Sequence, residues 1–274
     1  MRALPAIRAE LERLGADFRV VETSSAGHAR KEASAAAKSG EPVAALGGDG
    51  LVGTLAGVMC GTGVALAILP GGRGNDLARV LGIPTDPAAA ARVAVEGDER
   101  AIDVADADGA TYVGIASCGF DSDANKIANE AKLVRGNLVY FYAGLRTLVA
   151  WKHASFEVSI DGERHPMRGY GVAVANSKAY GGGMYLVPQA ELDDGLLDVM
   201  LITESPKLDF LRGMGKVFKG THVDDPNVTF VRGADIEIAA DRPFTVYADG
   251  DPIADLPVSI RVAKGVLRVV VPAG

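Results

Sequence analysis

A chain of 274 residues that is 48% hydrophobic and 23% charged has the composition of a folded protein, with no sign of bulk disorder and room for two domains. Its net charge of −7 argues against nucleic acid as the main partner, although local basic patches remain compatible with it. Cys60 and Cys118 lack metal-like spacing and read as reduced thiols of a cytoplasmic protein, the histidines are scattered, and no run approaches the ~20 apolar residues of a membrane span.

No charged-then-apolar leader opens the chain, so any contact with a membrane is expected from the outside. Leu4, Ile7, Leu11 and Leu14 recur at helical spacing, Gly15 ends that helix, and Phe18–Val21 reads as a strand. A helix follows across residues 27–39, then the apolar run Val43–Leu46, a helix, the run Val64–Ile68 and two further helices. The last is announced by Asp86 as a cap before Pro87. This alternation predicts a mostly parallel sheet covered by helices, with ligands outside the carboxyl ends of its strands.

Both apolar runs feed glycine-rich turns. Gly47-Gly48-Asp49-Gly50 follows the first, and Pro70-Gly71-Gly72-Arg73-Gly74-Asn75-Asp76 closes the second. Glycine permits positive φ and close approach of backbone to a ligand, so successive N–H groups can point at phosphate oxygens. Asp49 and Asp76 cannot face bare phosphate and would need a bridging Mg²⁺ or a sugar hydroxyl. The apolar-periodic stretches beginning at Leu51 and Leu77 would aim helix N-termini at the anion. Ordinary tight βα turns account for either turn alone, since Gly and Asp are common in them. Neither turn matches a Walker loop or a dinucleotide fingerprint.

Beyond about residue 101, short strand-like runs separated by Gly, Asp and Pro predict an antiparallel sheet or sandwich, with Val258–Val262 and Val266–Val271 as its last strands. Helical stretches interrupt it at about 122–150 and 207–219. Glu191–Asp198 packs four carboxylates around one turn, a density that a cation or solvent would relieve; a solvated hairpin explains it equally well. Tyr247–Asp251 is a strand entering an acidic turn. Residues 207–219 combine apolar Leu208, Leu211, Met214, Val217 and Phe218 with Lys207, Arg212, Lys216 and Lys219. That pattern suits an interfacial helix, but core packing is the favoured reading. The stretch Leu138–Trp151 reads as an acyl-chain groove or as core.

In order, Gly47–Gly50, Pro70–Arg79, Gly119-Phe120-Asp121, Gly181–Met184, Asp193–Asp198 and Asp249-Gly250-Asp251 resemble the diacylglycerol kinase catalytic family of soluble lipid kinases, related to sphingosine and ceramide kinases. The resemblance runs from about residue 40 to the end. It implies an α/β nucleotide-binding domain like those of NAD kinases and phosphofructokinases over residues 1–103, a β-sandwich over 104–257, and a return of the chain to the first domain from about 258. ATP and a lipid would meet in the cleft, and the enzyme would be cytoplasmic and peripherally membrane-associated. By the same resemblance Gly47, Gly48, Asp49 and Gly50 bind phosphates through Mg²⁺, and Gly72, Arg73, Asn75 and Asp76 form the second wall. Asp49 and Asp251 are catalytic, with Asp251 the general base. Asp194, with the carbonyls of Glu191 and Leu196, holds a structural Mg²⁺, and Asp103 belongs to an acid network below the site.

Three departures from the family pattern stand out. Leu51 and Arg73 occupy positions where the family usually has threonine, and a first strand with its Asn-Pro…Gly phosphate loop is missing ahead of Leu4. The natural protein is therefore expected to begin roughly 15–25 residues earlier, the reach of one strand and loop. An NAD kinase, which shares Gly-Gly-Asp-Gly, and a non-catalytic lipid- or nucleotide-binding relative are the alternatives. Neither the lipid, the preferred nucleotide nor a homodimeric state follows from the sequence.

Overall fold

The computed structural model describes residues 3–130 and 138–274, with side chains described outside 128–142. Helices α1 (Leu4–Arg13) and α2 (Ala26–Lys38) precede β1 (Val43–Gly47), α3 (Asp49–Met59), β2 (Leu66–Pro70), α4 (Asp76–Val80), α5 (Pro87–Glu96) and β3 (Asp98–Ala107). Then come β4 (Ala110–Tyr112), β5 (Ile115–Gly119), α6 (Phe120–Glu130), α7 (Leu138–Ala150), β6 (Ala154–Ile160), β7 (Glu163–Arg164) and β8 (Met167–Ala175). The chain finishes with β9 (Leu197–Thr203), α8 (Lys207–Val217), β10 (Val228–Gly233), β11 (Asp235–Ala240), β12 (Thr245–Ala248), β13 (Asp251–Asp255) and β14 (Val258–Val271).

Local chemistry explains most of these boundaries. The Ser25 hydroxyl accepts the His28 N–H at the start of α2, and the Asp86 carboxylate accepts the Ala89 N–H ahead of Pro87, each satisfying an orphan donor of the first turn. Ala29, Ala33 and Ala36 are buried along one face of α2, small enough to let it lie close to α3. Phe18–Val21 forms no strand: among the described residues its backbone finds no partner, and Val20 and Val21 stay exposed. The predicted 122–150 stretch is two helices, α6 and α7, and its residues 131–137 lie outside those described.

One sheet runs through the molecule in the order β1-β2-β14-β11-β6-β8-β5-β12-β13, with β3 on β14 and β9 on β8. Its parallel part is smaller than the helix–strand alternation predicts. Among the described residues, β1 pairs parallel with β2 from Val43↔Leu66 to Gly47↔Pro70, and β14 joins β2 in parallel at Val269↔Leu66. β3 instead returns antiparallel along β14.

The two predicted terminal strands are a single long one. Between Ala263 and Leu267 the register of β14 slips, with Gly265 at φ 65° taking the left-handed turn that the bulge requires. The slip lets one strand serve two cores. Leu267 and Val269 pack with Met59, Leu66, Ile68 and Ile102 in the first, whereas Val258 and Ile260 pack with Phe156, Tyr170 and Ile236 in the second. Cys118 is buried in the second core, where burial pushes its thiol up to about 12, so it stays protonated and inert.

Candidate active site

Because β1 and β2 run parallel with Gly47 opposite Pro70, both glycine turns emerge at the same end of the sheet. The Gly71 N–H donates to the Gly47 carbonyl at 2.8 Å. The glycines are required by close approach rather than by positive φ: none of Gly47, Gly48, Gly50, Gly71, Gly72 or Gly74 is left-handed. A Cβ on Gly48 would lie 3.1 Å from Gly72 Cα, and one on Gly72 would strike the Gly48 backbone. The left-handed residue is Asn75, at φ 51°. Its amide stabilises that conformation locally, accepting from Gly72 N at 2.9 Å and donating to Gly72 O at 3.0 Å. Leu51 turns back over Gly47, where a Cβ would lie 2.7 Å from the leucine Cδ2, so the side chain that replaces the family's usual threonine acts as packing.

Asp49, in the first turn of α3, reaches across to the second glycine turn. Its carboxylate accepts the Asn75 N–H at 2.8 Å and the Asp76 N–H at 2.7 Å, taking up amides at the start of α4. A Cβ on Gly74 would come within 2.6 Å of this carboxylate. Asp76 points the other way, to the loop after β8, where Gly182 N donates to Oδ2 at 2.7 Å. Its Oδ1 is buried and accepts no hydrogen bond among the described residues. Burial raises the Asp76 pKa, opposed by the Gly182 and Gly183 N–H groups and reinforced by Asp49. Arg79 lies beside it, donating to Gly74 O at 3.0 Å with Nε 4.0 Å from Asp76 Oδ1.

Opposite this pair stands the turn between β12 and β13. Asp249, left-handed at φ 51°, accepts the Ile115 N–H at 3.4 Å, and a Cβ on Gly114 would collide with its carboxylate. Burial pushes the Asp249 pKa up to about 6, and the negative charges of Asp49 and Asp76 push in the same direction. Asp251 opens β13 on the exposed rim of the same turn. Asp121 completes the wall, accepting from Ser117 Oγ at 2.6 Å, Tyr180 Oη at 3.2 Å and Asn125 Nδ2 at 3.4 Å; burial raises its pKa. Burial and the nearby charges of Asp121 and Asp249 keep the Tyr180 hydroxyl protonated.

Of the residues singled out in the sequence, Gly47, Gly48, Asp49, Gly72, Asn75 and Asp76 come together in hydrogen-bonded or packed contact, with Gly50 in the first turn of α3 and Arg73 exposed on the loop between β2 and α4. Asp249, Asp121, Tyr180 and Gly182 carry contacts that motif reading did not assign. The available signal was Gly114, an isolated glycine between strand-like runs, which marks close approach of another group. Asp103 serves the fold: fully buried, it accepts the Gly195 N–H at 2.6 Å and the Gly265 N–H at 2.7 Å, tying the acidic turn to the bulge of β14.

Two places bear on Mg²⁺. Asp76 Oδ1, which accepts no hydrogen bond among the described residues, fits an ion arriving with a nucleotide, since Mg²⁺ needs only one or two carboxylates when phosphates supply other ligands. In the Glu191–Asp194–Leu196 set, where the carbonyls of Glu191 and Leu196 would join the Asp194 carboxylate, basic side chains stand beside the acids. Asp194 is held by Arg232 and by the Leu196 N–H, and Lys264 Nζ donates to its carbonyl at 3.3 Å. Arg100 takes Asp193 at 2.8 Å. Among the described residues, no three His, Cys, Asp or Glu side chains cluster closely enough to hold a metal.

Residues 1–107 match the family described as the diacylglycerol kinase catalytic domain, and residues 114–271 match the YegS C-terminal NAD kinase beta sandwich-like domain. A protein of Mycobacterium tuberculosis (strain ATCC 25618 / H37Rv) named diacylglycerol kinase is 34% identical over 247 residues, 88% of this chain and 80% of its own length. A Pseudomonas aeruginosa protein named "Probable lipid kinase YegS-like" is 33% identical over 231 residues, 83% of this chain and 76% of its own. The crystal structure of a candidate diacylglycerol kinase from Bacillus anthracis str. Sterne superposes with a TM-score of 0.80 at 25% identity, covering 98% of this chain and 90% of that one.

Proposed function

Since this chain belongs to the diacylglycerol kinase catalytic family of lipid kinases, we propose that it transfers the γ-phosphoryl group of ATP to the hydroxyl of diacylglycerol or a similar lipid, at the junction between the glycine turns and the Asp249 turn. The observation that carries this reading is the position of Asp249, whose carboxylate packs against Gly114 and accepts the Ile115 N–H opposite the glycine turns, with burial and the charges of Asp49 and Asp76 raising its proton affinity.

Phosphoryl transfer depends on alignment and charge neutralisation more than on covalent help from the protein. Backbone N–H groups of the two glycine turns would receive the phosphate oxygens, with Arg79 and the exposed Arg73 supplying positive charge at the mouth. Mg²⁺, held by Asp76, would supply charge neutralisation at the phosphates. Asp49 keeps the second turn in place through its two backbone bonds.

A general base works best when its pKa lies near the operating pH. Asp249 meets that condition, being mostly ionised at pH 7 yet basic enough to take the proton of the lipid hydroxyl. Asp251, to which the family resemblance assigns this role, stands two residues away on the rim, where it would meet incoming substrate. Asp121, hydrogen-bonded to Tyr180, would orient the acceptor hydroxyl from the opposite wall. The protein would act from the cytoplasm as a peripheral enzyme; among the described residues no helix is long and apolar enough to cross a membrane.

The test is γ-phosphoryl transfer from labelled ATP to diacylglycerol, a sphingoid base or NAD, the lipids presented in detergent micelles. Labelled phospholipid with no labelled NADP is the expected outcome. Labelled NADP would instead support the NAD kinase alternative, and tight Mg·ATP binding with no transfer a regulatory relative.

A further inference from the structure

Helix α8 has the apolar periodicity of a core helix, yet none of its residues is buried. Phe210 anchors it, its ring stacked on Tyr170 at 3.7 Å between centroids and edge-on to Phe120 at 4.8 Å. Leu208, Leu211, Met214 and Phe218 lie in the open, 39–62% exposed. At 3.6 residues per turn these four fall within about 120° of arc, and Arg212 and Lys216 take the adjoining strip. The apolar surface continues onto α7, where Leu145 and Val149 are 46% and 73% exposed. Lys207 Nζ donates to the Val149 carbonyl at 2.7 Å, joining the two helices.

Charge sets this surface apart from the rest of the molecule. Residues 207–219 carry four basic side chains against one acid, Asp209, in a chain whose net charge is −7. Arg212 pairs with Asp209 at 2.9 Å and Lys216 lies 3.7 Å from Asp225, while Lys207 and Lys219 add further positive charge. The surface also borders the acid site. The Val217 carbonyl accepts the Tyr185 N–H at 3.1 Å, and Gly182, three residues before Tyr185, donates to Asp76.

We propose that the exposed face of α8, with Leu145 and Val149 of α7, docks on the surface of an anionic lipid bilayer. Its apolar side chains enter the interface, and the neighbouring lysines and arginine meet acidic headgroups. An amphipathic helix of this kind binds through buried apolar area together with attraction to anionic lipid. The contact brings the acid site to the plane where its lipid lies. That purpose rests on the lipid kinase reading, but the docking itself does not.

Sedimentation of the full chain with phosphatidylcholine vesicles, with and without phosphatidylglycerol and in the absence of ATP, tests the proposal. Binding should require phosphatidylglycerol, weaken with added salt, and fall by about tenfold or more in the double variant Leu211→Glu/Phe218→Glu. Arg212→Ala/Lys216→Ala/Lys219→Ala should weaken binding and flatten its salt dependence. These side chains are exposed, so the melting temperature should hold in both variants. Failure of the wild type to bind phosphatidylglycerol vesicles, or equal binding by Leu211→Glu/Phe218→Glu, would overturn the proposal. So would a dimer in light scattering that dissociates in the double variant while vesicles are ignored, since the stripe would then belong to a second copy. Vesicle binding without transfer to any lipid would remove the kinase reading and leave the docking surface standing.

Discussion

The carboxylate of Asp49 accepts the backbone N–H of Asp76 at 2.7 Å, fastening the end of one glycine turn to the start of the helix that follows the other. With the Asn75 N–H bound to the same side chain, one acid at the edge of the first parallel strand sets the position of the next acid in the site. Asp49 is therefore a positioning residue as much as a candidate contact to a nucleotide. Asp49→Ala leaves two half-buried N–H groups unpaired, at about 1–3 kcal/mol each before solvent relieves part of it. The expected result is a melting temperature several degrees lower, together with weaker Mg·ATP binding by calorimetry.

The pH dependence of stability follows from Asp249. Its folded pKa of about 6 lies above the ordinary value near 4, so between those values the native state holds a proton that the unfolded state has released. Stability from this group is therefore greatest at low pH and is lost as pH rises through about 6. Asp249→Asn removes the penalty and should make the protein more stable at pH 7, by an amount on the order of 2 kcal/mol. Denaturant melts of wild type and variant at pH 5 and pH 7 measure this: the gap between them should be about half as wide at pH 5 as at pH 7. Activity should run oppositely, with kcat/KM of the wild type falling below pH 6 as the base becomes protonated.

Gly114→Ala places a methyl group against the Asp249 carboxylate. Moving that carboxylate by even a fraction of an ångström disturbs both its proton affinity and its alignment. Phosphoryl transfer should fall at least tenfold, with a smaller loss in Mg·ATP affinity, and circular dichroism should report an intact fold.

The acidic turn makes the opposite prediction for metal. Arg232 on Asp194, Lys264 on the Asp194 carbonyl and Arg100 on Asp193 supply the positive charge that the turn needs. EDTA should leave the melting temperature of the nucleotide-free protein unchanged. Arg232→Met, which leaves Asp194 without its cation, should lower stability by about 1–2 kcal/mol, reduced from a fully buried pair because both partners are partly exposed, and added Mg²⁺ should restore part of the loss.

Much of this was legible in the sequence because it rests on local chemistry. The helix caps at Asp86 and the alternation around β1 and β2 depend on neighbours within a few residues, and the six motifs preserve their order. What was not legible depends on distant contacts. The Phe18–Val21 run has strand-like composition, but pairing decides whether a strand forms, and it has no partner among the described residues. Lys264-Gly265 reads as a turn between two strands. In the folded chain Asp103, more than a hundred residues earlier, accepts the Gly265 N–H and holds a bulge within one strand. Sequence alone allows positive φ as a reason for the glycines of both turns, whereas they are demanded by each other's backbones. The apolar periodicity of α8 favours core packing, and only the surroundings of the helix reveal its exposure. The inward position of Asp249 shows the same limit: it is set by Gly114 and Ile115, far away in sequence, whereas Asp251, to which the family resemblance gives the base, stands on the exposed rim two residues on. For the acyl-chain reading of Leu138–Trp151, Leu148 and Trp151 are core and Val149 is exposed, while the side chains of Leu138–Tyr142 lie outside the described residues.

The most direct test of the central claim is the rate of γ-phosphoryl transfer to diacylglycerol by the wild type, Asp249→Asn and Asp251→Asn at saturating Mg·ATP. The expected result is transfer by the wild type, a loss of about 10²-fold or more in kcat for Asp249→Asn with nucleotide affinity retained, and a smaller loss for Asp251→Asn expressed mainly in KM for the lipid. Full kcat in Asp249→Asn, or a collapse confined to Asp251→Asn, would contradict it.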